Sequence, residues 1–159
     1  MKTITLTQPW ASLVAIGAKR IETRNWGTAY RGPLAIHAAK GLGAVGGHAG
    51  LIDLCLNEPF RSALALAGKG RLVPGEDLPL GAVVATCRLV GCIRITAEDN
   101  AANLAAFYAH AAAHERAFGD YTLGRYMWLL ADVAALPAPV PARGMLGLWE
   151  WAPPGGLAI

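Results

Sequence analysis

Charge is scarce in this chain: Asp, Glu, Lys and Arg make up 16% of its 159 residues, against 54% hydrophobic residues. That balance excludes a disordered chain, which needs many charges and few apolar groups. Long apolar runs are missing too. The best candidate, residues 3–18, is broken by Thr5, Thr7, Gln8, Pro9, Ser12 and Gly17, so neither a membrane helix of ~20 residues nor the core of a signal peptide fits. Cysteine is sparse: Cys55, Cys87 and Cys92 cannot all pair and form no CxxC, which favours reduced thiols and a cytoplasmic location. A single domain over residues 1–159 can bury roughly two-thirds of its unfolded surface and requires no disulfide or metal staple. Nothing in the sequence requires a cofactor.

Acidic residues are nearly absent from the first forty positions. Six basic side chains (Lys2, Lys19, Arg20, Arg24, Arg31, Lys40) face one acid, Glu22, a local balance of +5 in a chain whose total is +3. Ten of the fourteen basic residues are arginine, the side chain suited to planar contacts with phosphates and bases. Arg- and Ala-rich codon usage accounts for the arginines but not for the missing acids.

What is present is short and turn-rich, with 19 glycines and 10 prolines. Alternation of Ile4 and Leu6 with Thr3, Thr5 and Thr7 predicts a strand over 1–7. Pro9 can open a helix carrying Trp10, Leu13 and Val14, and Gly17 can close it. Residues 20–26 and 34–38 read as strands. The glycine-rich segment 41–50 reads as loop, 51–67 as helix apart from Pro59, and 68–79 as polar turns. Residues 80–96 are the best strand material, with a break at Gly91. A helix is expected over 97–119, then strands over 125–130 and 147–151 separated by a proline-rich bend at 136–141. This mixture predicts an α+β fold with a small mixed or barrel-like sheet.

Several motifs carry little. Residues 41–46 match GxGxxG, but no second strand ending in an acid follows at the required distance. His110 and His114 are four apart, as zinc ligands can be, yet no third ligand is evident and a structural role fits better. Cys87 and Cys92 suit packing within the strong strand.

The informative run is Gly17-Ala18-Lys19-Arg20-Ile21-Glu22-Thr23-Arg24. It sets a cation at a helix-to-strand junction, then an acid and a second cation on one strand face, their alpha carbons about 6.8 Å apart. Thr23 points to the opposite face. The alternative is an ordinary surface ion pair worth under about 1 kcal/mol. A cluster of two cations and one carboxylate leaves a positive charge for a phosphate or base carbonyl. On that basis Lys19→Ala and Glu22→Ala are expected to abolish ligand response with little change in thermal stability.

The spacing GxKxxExR (Gly17, Lys19, Glu22, Arg24) resembles the core motif of the ASCH domain, the activating-signal-cointegrator homology family. The resemblance extends to residues 6–11, to Asn25-Trp26, to 31–38, 80–84 and 124–128, and to 141–144 through Leu148-Trp149. It implies a PUA-like fold: a small mixed β-barrel with flanking helices and a charged cleft, the first and last strands meeting in one sheet. The ligand set implied is Lys19, Glu22, Arg24, Trp26, His37, Tyr126 and Arg143, with no metal. The implied partner is RNA, a nucleotide or a modified nucleoside, and no membrane. Some small bacterial members are amidohydrolases of acetylated cytidine and others cleave RNA. A hydrolytic reading would make Lys19 nucleophile or base, with Glu22 beside it. In the amidohydrolase branch a Thr stands where this chain has Glu22.

Overall fold

The computed structural model describes residues 1–72, 76–96 and 100–155. Six strands, β1 (Lys2–Leu6), β2 (Ile21–Arg24), β3 (Gly32–Ala38), β4 (Ala82–Arg94), β5 (Tyr126–Pro141) and β6 (Leu148–Glu150), form one curled, half-barrel sheet in the order β2-β5-β4-β3-β1-β6. β1 and β3 run parallel and every other pair antiparallel. The first and last strands are neighbours, as expected: Thr3 pairs with Trp149, and the amino terminus donates to Trp151 O at 2.6 Å.

The two-residue period sorts the side chains onto two faces. Ile4, Leu6, Leu34, Ile36, Cys87, Leu89, Trp128 and Leu130 form the main core with Ala11 and Val14 of α1 (Trp10–Ala15). The other side of α1 is covered by α2 (Gly47–Leu56) and α3 (Phe60–Leu66), through Leu13, Leu51, Phe60, Leu64 and Phe118. On the opposite face of the sheet α4 (Asn100–His110) lays Phe107 over Ile21, Met127 and Leu129. Cys87 and Cys55 behave as small apolar groups: burial pushes their thiols up to about 12 and about 11.

Five expectations change. Segment 41–50 is not all loop, because α2 already begins at Gly47 behind a left-handed Gly46. The helix over 51–67 is two helices, parted at Asn57–Pro59 where proline lacks the N–H to continue. Residues 97–99 of the helix expected over 97–119 lie outside the described residues; α4 ends at His110, and His114 at φ 65° opens a separate 3-10 turn over Glu115–Phe118. The two histidines therefore lose their shared helical face. Residues 136–141 are strand rather than bend. β2 pairs with β5 only through Leu129, so beyond it β5 has an open edge, where prolines cost no ladder bond.

Gly91 is no break either. β4 runs through it with a register shift between Leu89 and Gly91. A Cβ at Gly91 would lie 2.7 Å from Leu129 Cδ1 and 3.1 Å from its Cγ. Gly91→Ala should therefore cost about 1–3 kcal/mol through overpacking against a buried leucine. Urea unfolding measures this; a midpoint equal to that of the unsubstituted chain would show that Leu129 yields freely.

Candidate functional site

Gly17 ends α1 at φ +74° with nothing within 4 Å of a hypothetical Cβ, so its conformation, not its space, requires glycine. The chain then folds back, with Lys19 N bonded to Leu13 O at 3.0 Å, and enters β2. Lys19 is fully buried at 0% exposure. Its Nζ donates to Ile21 O at 2.5 Å and lies 3.5 Å from Glu22 Oε2. Arg24 Nε stands 3.1 Å from Glu22 Oε1, an ion pair in which the N–H is not aligned as a hydrogen bond. Its Nη2 donates to Thr5 O at 2.6 Å. β6 covers β1 only as far as Ile4, so Arg24 ties one end of the strand order to the uncovered end of β1 and narrows the open seam of the half-barrel.

Glu22 thus sits between two cations, and it alone of the three lines a cleft of about 340 Å³ with Trp10, Thr23, Phe118, Gly119, Asp120 and Arg125. The Thr122 hydroxyl, then the Thr122 N–H and Arg125, hold the Asp120 carboxyl below the ordinary carboxylate range. Arg125 is turned inward: its Nε donates to Asp120 O at 3.1 Å and its Nη2 to Thr23 O at 3.3 Å. The cleft therefore presents two carboxylates and one engaged guanidinium. It suits a ligand that donates hydrogen bonds, not a phosphate. The cationic face expected of Lys19 and Arg24 is spent on the protein's own carbonyls and on Glu22.

The remaining sequence candidates fall in two groups. Tyr126 stands opposite Arg24 in the β2–β5 register, its ring so close over Gly27 that a Cβ there would approach within 2.5 Å. Trp26 packs edge-on to Trp128 at 4.7 Å, and its carbonyl accepts from the Trp128 indole at 3.2 Å. Both share the sheet face of Glu22 and Arg24 but do not line the cleft. His37 and Arg143 lie elsewhere. His37 is level with Thr5 on the opposite face, and with Arg143 it lines a separate cavity of about 860 Å³.

The run 17–24 gives no hint of Glu115. It is buried at 1% exposure. One carboxylate oxygen accepts from Arg20 N at 2.8 Å and Ala112 N at 3.2 Å, the other from Ile21 N at 2.9 Å. This fixes where β2 begins, and so where Glu22 points. Trp10 and Arg125 stood inside stretches matched by the resemblance; Asp120 and Phe118 carried no signal.

The family model of the ASCH domain matches residues 4–134. The chain belongs to the ASCH domain family. The match covers the whole Lys19–Glu22–Arg24 cluster and ends before residues 141–149. No curated protein matches this ASCH chain. The crystal structure of a mutant ASCH protein from Zymomonas mobilis is similar over 88% of this chain and 74% of its own, at 14% identity and a TM-score of 0.45. In this ASCH domain no helix among the described residues is long and apolar enough to cross a membrane. Among those residues no group of three or more His, Cys, Asp or Glu is placed to hold a metal.

Proposed function

We propose that this ASCH domain binds RNA, a nucleotide or a modified nucleoside by seating one amino-bearing base in the Glu22 cleft. The observation that carries this reading is the Glu22 carboxylate itself, one oxygen steadied by Lys19 and the other by Arg24 while it borders the cleft. A carboxylate has about four lone-pair positions, so two cationic contacts leave room for a ligand N–H. Acceptance from an exocyclic amine is how acids read cytosine. Trp10 and Phe118 supply the aromatic wall, and a cleft of about 340 Å³ lies within the range of small-ligand sites. ASCH membership itself favours RNA-type ligands.

The hydrolytic alternative is weaker here. Lys19 Nζ is held by Ile21 O and does not border the cleft, so a nucleophilic role would first require breaking that bond. Glu22 is then the better base. Calorimetric titration with cytidine, acetylcytidine and an eight-nucleotide single strand tests the proposal, with product analysis on each mixture. Glu22→Gln removes the counter-charge of buried Lys19 and should lower stability. Measured where the variant is still folded, nucleoside binding should weaken about tenfold, the worth of one charge-assisted hydrogen bond. Unchanged cytidine binding in that variant would overturn the assignment of Glu22.

A further inference from the structure

The cavity around His37 lies on the sheet face opposite Glu22, and it shares no lining residue with the Glu22 cleft. His37 is buried at 1% exposure. Its Nε2 lies 3.1 Å from Ala142 O, which fixes the proton there because a carbonyl can only accept. Nδ1 is therefore a lone-pair acceptor, and it is buried without a partner. Burial lowers the ring's proton affinity, so the imidazole stays neutral. A buried acceptor left unmade is costly, and it calls for a donor from outside the chain.

Two further features share the cavity. Lys40 and Arg143 line it, and neither forms an ion pair or side-chain hydrogen bond among the described residues. No Asp or Glu lines it. Gly144 lies directly over the ring: a Cβ there would come within 2.5 Å of His37 Cε1, 2.8 Å of Nδ1 and 3.2 Å of Thr5 Oγ1. Its φ is not in the left-handed region, so glycine is required for lack of room: its backbone closes on the Cε1–Nδ1 edge of the ring, and Nδ1 opens to the cavity only when residue 144 moves aside. Leu80 and Met145 add apolar wall, more than a bare ion would use.

We infer that the His37–Lys40–Arg143 cavity is a second binding site, distinct from the Glu22 cleft, for a phosphate ester that carries a neighbouring hydroxyl. The phosphate oxygens meet Lys40 and Arg143, and the hydroxyl donates to His37 Nδ1. A volume of about 860 Å³ admits the whole group. A sugar phosphate and the backbone of an RNA strand both present this chemistry, and the site does not depend on what fills the Glu22 cleft.

The test is titration of the full chain with ribose 5-phosphate, inorganic phosphate and a short single-stranded RNA, followed by ¹⁵N NMR of the histidine rings and by calorimetry. Ribose 5-phosphate should bind more tightly than inorganic phosphate and shift the His37 ring nitrogens. Arg143→Gln and Lys40→Gln, both exposed changes that leave folding intact, should each weaken it about tenfold, and Gly144→Ala should do the same without removing a charge. RNA that displaces ribose 5-phosphate assigns the site to a strand backbone, whereas RNA that does not assigns it to a free sugar phosphate; both support the site. Unmoved His37 signals with ribose 5-phosphate and RNA alike, or wild-type affinity in Arg143→Gln, would overturn it. Loss of cytidine binding in Glu22→Gln leaves these readouts untouched.

Discussion

Glu115→Ala should lower stability by about 3 kcal/mol or more, through the loss of several buried hydrogen bonds at once. The carboxylate satisfies three backbone N–H groups, those of Arg20, Ile21 and Ala112, in a buried setting. Each donor left unpaired costs about 1–3 kcal/mol unless water reaches it, so even partial hydration leaves a large deficit. For a chain of this size that corresponds to a fall in Tm of about 6–12 °C. Glu115→Gln keeps one acceptor oxygen and should recover part of the loss. Because the bonds fix the start of β2, nucleoside binding through Glu22 should fall as well, under conditions where the variant is still folded. Thermal unfolding followed by circular dichroism decides it. A Tm within about 2 °C of wild type would mean that solvent replaces the carboxylate at little cost.

Lys19→Ala is expected to lower stability by about 3–5 kcal/mol, the range for removing one partner of a buried ion pair. This reverses the expectation drawn from spacing alone, which treated Lys19 as a cation reaching into a cleft. With 0% exposure, its loss strands the Ile21 carbonyl, takes a counter-charge from Glu22 and empties the space of the aliphatic stem. Lys19→Met separates these contributions: it refills much of the space but restores neither N–H nor charge. The methionine variant should therefore lie between alanine and wild type in stability, while both variants lose affinity for cytidine. Chemical denaturation with m-values held constant is the appropriate measurement. If Lys19→Ala unfolds with the wild-type midpoint yet no longer binds, Lys19 is a ligand contact after all.

The strand periodicity of residues 1–7 and 34–38, the closing glycine at 17 and the shared face of Glu22 and Arg24 were all legible in the sequence, because each depends on neighbours a few positions away. Burial of Lys19 was not. It follows from how the turn after α1 folds back on Leu13 and packs in three dimensions, which no local pattern discloses. Glu115 was invisible for the same reason: its partners at 20 and 21 lie more than ninety positions upstream. The prolines of 136–141 misled for a different reason. Their meaning depends on whether the strand has a neighbour on both sides, and β2 is too short to provide one. His37 and Arg143 came from a resemblance that supplies residues but not the sheet face each occupies.

The outward side of β2 has a consequence for how this molecule behaves in a crowded solution. A terminal strand with vacant main-chain groups is a template on which another chain can add itself, the first step of aggregation. Here the positions that would pair with such an intruder are already occupied by side chains. Glu115 holds the N–H of Ile21, Lys19 holds its carbonyl, and Arg125 holds the carbonyl of Thr23. One residue just before the strand and two from far along the chain together do what a seventh strand would do, without adding a further edge that would itself need protection.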